Sequence, residues 1–279
     1  MLGPRSAGVQ QLRRLLSSRR NRREEGLFAF EGPELLRSAL DANIQIARVF
    51  EDVDAPSEVH ETCELARTRG VKVDLVDHKD FLGAADAMSP QGCAGIAEQI
   101  LAEQTSPIGR SFFLVLDEIQ DPGNVGALLR VAEGCGVTTV FITGASADPF
   151  GPKALRAATG STFRIVVAER PSVTDLLDEL ADQGVTTFAT SSHNGEDYAD
   201  LAWPDATALV LGNEGAGLSD EIMSRCARGV RIPLQGALES LNVSVAGGIL
   251  AMSIARHHET SLSTTLGSTI DSVPTKDPS

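Results

Sequence analysis

Three segments of the 279-residue chain place glycines and polar side chains at spacings that could serve chemistry. The first, DEIQDPGNVGALLR at 117–130, joins the turn residues Asp121, Pro122 and Gly123 to a helical pattern whose packing positions are Leu128, Leu129, Ala132 and Cys135. Asn124 is a good helix N-cap there, able to accept a hydrogen bond from an otherwise unpaired N–H. Gly126 leaves no Cβ where something could approach the helix start. Arg130 falls away from the apolar positions, and its bland reading is a surface pair with Glu133 at i, i+3, worth a few tenths of a kcal/mol at most. The second segment, LGNEGAGLS at 211–219, offers a flexible backbone that can wrap a ligand and turn N–H groups toward it. Its G-x-x-G-x-G spacing is neither the dinucleotide fingerprint nor a P-loop, and a tight turn alone would need neither Asn213 nor Glu214. The third, IPLQGALESLNVS at 232–244, carries Glu239, Ser240 and Asn242. Ser240 or Asn242 could cap the helix that follows, but one cap does not use three polar side chains.

Each segment follows an apolar run and precedes a helical pattern. The runs FFLVL (112–116), VTTVFIT (137–143), FRIVV (163–167), VTTFAT (185–190), TALVLG (207–212) and VRIP (230–233) are continuous rather than alternating, as in strands buried on both faces. Helical stretches at 126–135, 152–159, 172–183, 219–226 and 241–257 separate them. This alternation predicts an α/β fold with a doubly wound parallel sheet, in which ligands bind at the C-terminal strand ends. A smaller α/β unit precedes it over 24–98, with strands at 27–32, 46–50, 71–76 and 92–98 and helices at 33–42, 57–69 and 79–87. Residues 99–110 have the composition of a linker and 111–259 form the larger unit. The Ser/Thr-rich stretch 260–279 cannot bury enough surface to order itself and is expected to be disordered.

Charge is distributed unevenly. The chain carries a formal −14, yet residues 1–23 hold seven arginines, among them Arg13, Arg14, Arg19, Arg20, Arg22 and Arg23, and no acid, leaving −21 on everything after Arg23. An acidic total by itself argues against a nucleic-acid partner. The basic stretch reads either as a solvated, partly helical tail or as a phosphate-binding arm. No apolar run approaches the roughly 18 residues of a membrane span, and arginines stand where a secretory signal would be apolar, so a cytoplasmic protein is expected. Cys63, Cys93, Cys135 and Cys226 form no C-x-x-C pair, giving no support for zinc or a disulfide framework.

In order and content, N-x-G-x-x-x-R, then L-G-N-E-G-x-G-L-S, then I-P-x-x-G-x-x-E-S-L-N-V-S resemble the three signature motifs of the SpoU family, RNA ribose 2′-O-methyltransferases of the SPOUT superfamily. The resemblance spans roughly 111–258. The smaller unit is similar to that family's accessory substrate-binding domain, related to ribosomal L30 and L7Ae proteins. The layout resembles members that modify 23S ribosomal RNA, including those conferring thiostrepton resistance. The resemblance implies a deep C-terminal trefoil knot, an exception to the rule that chains do not thread loops. It also implies bound S-adenosylmethionine, no metal, and a homodimer that brings Asn124 and Arg130 near the cofactor site across the interface. It assigns Arg130 to the ribose hydroxyl, as base or as electrostatic anchor, Asn124 and Glu214 to orienting Arg130 and the ribose, and Ser240 and Asn242 to completing the pocket. The adenosyl and methionyl contacts fall on Thr190, Leu211, Gly212, Asn213, Gly215, Ile232, Leu234 and Leu241.

The alternatives are a transfer-RNA methyltransferase, a catalytically inactive RNA-binding or ribosome-associated relative, and a nicotinamide enzyme whose glycine spacing does not fit. An RNA partner confines contact to local basic features: the arginine-rich stretch, Arg130, and Lys153 with Arg156.

Overall fold

The structure is a computed structural model that describes residues 2–84, 90–102 and 109–270, with side chains through residue 259. The smaller unit is a mixed sheet of β1 (Leu27–Glu31), β2 (Ile46–Asp52), β3 (Val73–Val76) and β4 (Cys93–Glu98) in the order β1-β4-β2-β3. Strand β4 pairs antiparallel with β1 and β2, whereas β2 and β3 run parallel.

The first 23 residues do not form a free arm. They fold as α1 (Ala7–Ser17) and α2 (Arg19–Glu25). The reason lies in the spacing of Val9, Leu12, Leu15 and Leu16. These side chains fall on one face of α1 and are buried against Ala29, Phe50, Ala94 and Ile96 of the sheet. Burying each is worth roughly 1.5–3 kcal/mol relative to exposure, so the smaller unit begins at α1 rather than at residue 24. Its other face is covered by α3 (Pro33–Asp41) and α4 (Ser57–Thr68), in a core that also takes in Phe150, Leu155 and Phe163 of the larger unit. Phe28 lies 5.1 Å from Phe150 and 5.9 Å from Phe163, centroid to centroid. The two units therefore share a core. A short helix α5 (His78–Leu82) completes the described part of the smaller unit, while the end of the helix expected at 79–87 and the middle of the 99–110 linker lie outside the described residues.

The larger unit contains β5 (Ser111–Asp117), α6 (Pro122–Gly134), β6 (Thr139–Thr143), α7 (Pro152–Ala158), β7 (Val167–Arg170), α8 (Val173–Asp182), β8 (Thr186–Thr190), β9 (Glu196–Asp197), β10 (Ala206–Leu211), α9 (Asp220–Arg225), β11 (Arg228–Arg231) and α10 (Val243–Ile270). The seven strands are ordered β7-β6-β5-β10-β8-β11-β9, and every pairing is parallel. Alternate residues of β5 serve opposite cores: Phe112, Leu114 and Leu116 pack with α6 and α10, and Phe113 and Val115 with α8 and α9. This two-sided burial is why the strand is apolar throughout.

Two expectations shift. The strand placed at 163–167 begins only at Val167, because Ser161–Phe163 is a 3₁₀ turn that sends Phe163 into the shared core. The last helix continues to Ile270, so part of the stretch expected to be disordered extends a helix already nucleated upstream, which costs little; 271–279 lie outside the described residues.

Candidate active site

Strand order reverses between β5 and β10, and a doubly wound sheet opens a crevice at the C-terminal ends of its strands at such a point. The loops after β8, β10 and β11 converge there around a cleft of about 290 Å³, at the small end of the roughly 300–1,000 Å³ usual for small-molecule sites, and the loop after β5 joins them through Glu214. Thr190, Leu211, Gly212, Asn213, Gly215, Ile232, Leu234 and Leu241 all line it, as do Glu214 and Ser240. Ser191, Ser192 and His193 line it too and lie outside the expected site residues, as does Glu239, a polar side chain of the third segment to which no role was assigned. The first three follow β8 directly, so the strand-end rule applied to VTTFAT would have found them.

The 212–219 loop closes on itself. Asn213 Oδ1 accepts from Gly215 N (2.9 Å) and Ala216 N (3.0 Å), and Gly217 adopts a left-handed φ of 71°. A Cβ at Gly212 would stand 2.6 Å from the Gly217 carbonyl carbon and the Leu218 nitrogen, so any side chain there would open the turn. Asn213 Nδ2 donates to the Glu118 carbonyl (3.0 Å), and Glu118 itself has φ 54°, a conformation uncommon outside glycine that the fold holds in place.

Glu214 and Asn124 tie the three loops together. The Glu214 carboxylate accepts from Gln120 N (3.2 Å), Asp121 N (3.1 Å) and Asn124 Nδ2 (3.0 Å). Partial burial pushes its pKa up, but the hydrogen bonds from Asn124 and the backbone outweigh burial and hold it below the usual carboxylate value. Asn124 Oδ1 accepts from Asn242 Nδ2 (3.1 Å), and Asn242 Oδ1 accepts from Ser244 N (2.9 Å) and Ser244 Oγ (2.6 Å) at the start of α10. Asn242 thus serves both as helix cap and as cross-link.

Asn124 is not the N-cap of α6. Pro122 occupies the first turn, where its missing N–H costs nothing, so the cap falls on Asp121, whose Oδ1 accepts from Asn124 N (3.1 Å). The Asn124 side chain is thereby released for Glu214 and Asn242. Asp121 also pairs with Lys153 (2.7 Å), and the ammonium hydrogen bond lowers its pKa. Gly126 does face a close neighbour, but that neighbour is α7: a Cβ would lie 2.3 Å from the Ala154 carbonyl oxygen.

Arg130 is exposed on α6 and, among the described residues, has no ionic or hydrogen-bonded partner. The surface pair with Glu133 does not form, because Arg164 holds both Glu133 oxygens, Nη2 at 3.0 Å. The N-terminal arginines behave in the opposite way. Arg22 is 5% exposed and bound to Asp148 (2.7 Å), Arg19 and Arg23 share Glu169 (3.2 and 2.5 Å), Arg14 meets Glu25 and Arg20 meets Glu24. Arg13 has its Nε buried. As a group they do not form a free phosphate-binding arm, because acidic partners within reach neutralise most of them.

Residues 111–252 match the SpoU rRNA methylase family, and residues 7–95 match an MRM3-like substrate binding domain. The chain belongs to the SpoU family. Among SpoU relatives, the 23S rRNA (guanosine(2553)-2′-O)-methyltransferase RlmP of Bacillus subtilis is 31% identical over 237 residues, covering 84% of this chain and 91% of RlmP. An AdoMet-bound rRNA methyltransferase from Sinorhizobium meliloti overlays with a TM-score of 0.79 at 29% identity, covering 90% of this chain and 95% of that one. The SpoU methyltransferase AviRb of Streptomyces viridochromogenes shares the fold, with a TM-score of 0.81 at 24% identity over 92% of this chain and 99% of that one. The substrate-binding match starts at the first residue of α1, in agreement with the helix's burial in the smaller unit.

Proposed function

We propose that this SpoU protein transfers a methyl group from S-adenosylmethionine to a ribose 2′-hydroxyl of 23S ribosomal RNA. The residues of the cleft fit that cofactor: Leu211, Ile232, Leu234 and Leu241 give apolar walls for an adenosyl group, the glycine-rich turn lets its backbone approach closely, and Glu239 supplies negative charge for a sulfonium. Bound there, the cofactor supplies an electrophilic methyl whose leaving group is a neutral thioether, so no metal is required. The harder part is the nucleophile, since a ribose hydroxyl reacts only when its proton is drawn away or its developing charge is stabilised.

The observation that carries the reading is that Arg130, on the same helix as Asn124, has no partner among the described residues, while the motif loops at the start of that helix are cross-linked through Glu214, Asn124 and Asn242. Arg130 anchors the ribose and its phosphate and stabilises the developing alkoxide. Asn124, held by Glu214 and Asn242, orients the acceptor, and Ser240 closes the pocket. The catalytic form is a homodimer with a knotted C-terminus. Val131, next to Arg130, packs on Gly248 of α10, and α10 leaves Val245 and Met252 half exposed around a groove with Tyr198. A second copy covering that groove brings Arg130 to the partner's cleft. No helix among the described residues is long and apolar enough to cross a membrane, and an RNA substrate suits the cytoplasm.

The test is methyl transfer from labelled S-adenosylmethionine to 23S RNA, with 2′-O-methyl mapping of ribosomal RNA from cells lacking the gene. Labelled 23S RNA and one lost site are expected. No lost site, or transfer to transfer RNA alone, overturns the assignment of substrate.

A further inference from the structure

The buried Arg22 is costly to explain as a surface arginine that happened to find a carboxylate. Its Nε and Nη2 both reach Asp148 Oδ2 at 2.7 Å, and Nη1 donates to the carbonyls of Leu15 and Leu16. Asp148 is occupied on its other oxygen by Phe150 N (2.9 Å), and Phe150 packs on Phe28 in the core shared by the two units. Arg19 adds a second attachment, Nη1 donating to the Ser146 carbonyl at 2.7 Å. Two arginines of α1–α2 thus grip one loop of the larger unit, 144–151.

That loop leads to the active site. Ser146 is fully buried, and its hydroxyl accepts from Ile119 N (3.0 Å) and donates to the Leu116 carbonyl (3.0 Å). Ala147 N donates to the Ile119 carbonyl (2.8 Å). The next two residues, Gln120 and Asp121, give their N–H groups to Glu214, and Asp121 caps the helix that presents Asn124. A continuous set of buried or backbone-anchored hydrogen bonds therefore runs from the RNA-recognition unit to Asn124.

We propose that Arg22 is a positioning residue for the reaction: it pins the recognition unit to the 144–151 loop, which in turn holds the backbone that presents Asn124. The inference rests on the methyltransferase reading above. RNA held by the smaller unit is thereby kept at a set distance from the cleft, and the 117–124 segment keeps its reactive geometry only while that grip is closed.

Replacing Arg22 alone would leave Asp148 buried and unpaired, which can unfold the chain. The experiment therefore uses the double variant Arg22→Met with Asp148→Asn, alongside Ser146→Ala and the conservative Arg22→Lys, in the full-length protein. Expected for the double variant and for Ser146→Ala are at least tenfold faster amide exchange at 119–124 with protection of β1 and β4 retained, a tenfold or greater fall in kcat on 23S RNA, and S-adenosylmethionine affinity within twofold of wild type. Arg22→Lys should recover part of kcat. Wild-type exchange at 119–124 in both variants overturns the proposal, as does unchanged kcat with only a lower melting temperature. The exchange measurement does not depend on turnover: a wild-type protein that binds the cofactor yet fails to methylate 23S RNA removes the substrate assignment, while exchange still decides the role of Arg22.

Discussion

Helices α1–α2 and helix α6 both carry arginines that read alike in the sequence, as cations on amphipathic segments, and the fold treats them in opposite ways. In α1–α2, acidic partners from the same helices and from the larger unit take up Arg14, Arg19, Arg20, Arg22 and Arg23. In α6, Glu133, three residues from Arg130, is taken by Arg164 instead. The comparison teaches that a count of basic residues locates nothing. An arginine paired inside the fold has its charge already answered by a carboxylate, whereas an unpaired one keeps it for a phosphate.

The largest expected effect sits on the free member of the pair. Arg130→Ala should lower methyl transfer on the order of a thousandfold while S-adenosylmethionine binding, followed by calorimetry, stays within a few fold. Near-normal turnover would erase the distinction between the two helices. Next, Gly212→Ala should weaken cofactor affinity about ten- to a hundredfold, the scale of overpacking against a fixed backbone, since the added methyl meets the Gly217 carbonyl at 2.6–2.7 Å. Unchanged affinity by calorimetry would take the cofactor out of this cleft.

Glu214→Gln replaces an acceptor of three hydrogen bonds with a group that must turn a donor toward one of them, and kcat should fall about ten- to a hundredfold. The same carboxylate sets an acid limit. Its folded pKa is depressed, so its contribution to stability is complete above the ordinary glutamate range and is lost as pH falls through the lower folded value. Wild-type stability should therefore drop below about pH 4 with a component that Glu214→Gln lacks, measured by thermal unfolding against pH. The smallest effect is expected at Arg20, which is mostly exposed and, among the described residues, paired only with Glu24. Arg20→Gln should move the melting temperature by less than about 1 °C and the salt slope of RNA binding by at most about one. A larger change in slope would return α2 to the RNA surface.

Much of the lining of the cleft is legible in the sequence because it depends on local chemistry. The loops at 117–130, 211–219 and 232–244 were picked out by glycines and polar residues following buried strands, and the eight residues assigned to the cofactor converge on one cleft. Local order does not decide the outcome where local rules compete. Asn124 and Asp121 are both good caps, and Pro122 settled the matter in favour of Asp121. Gly126 signals close approach without saying by what, and it turned out to be α7. The N-terminal helix was readable in Val9, Leu12, Leu15 and Leu16, but seven arginines obscured the apolar stripe.

The sequence by itself determined the elements, the two-sided burial of the large sheet's strands and the chemical character of the three loops, because periodicity, turn residues and caps act within a few positions of one another. Only the tertiary structure decided which polar groups meet: that Glu214 bridges to Asn124 across 90 residues, that Arg22 closes on Asp148 across 126, and that Arg130 has no partner among the described residues. Hydrogen bonds and ion pairs are satisfied by proximity in space, and a chain with 38 acids and 24 bases has far more possible pairings than its local order can rank.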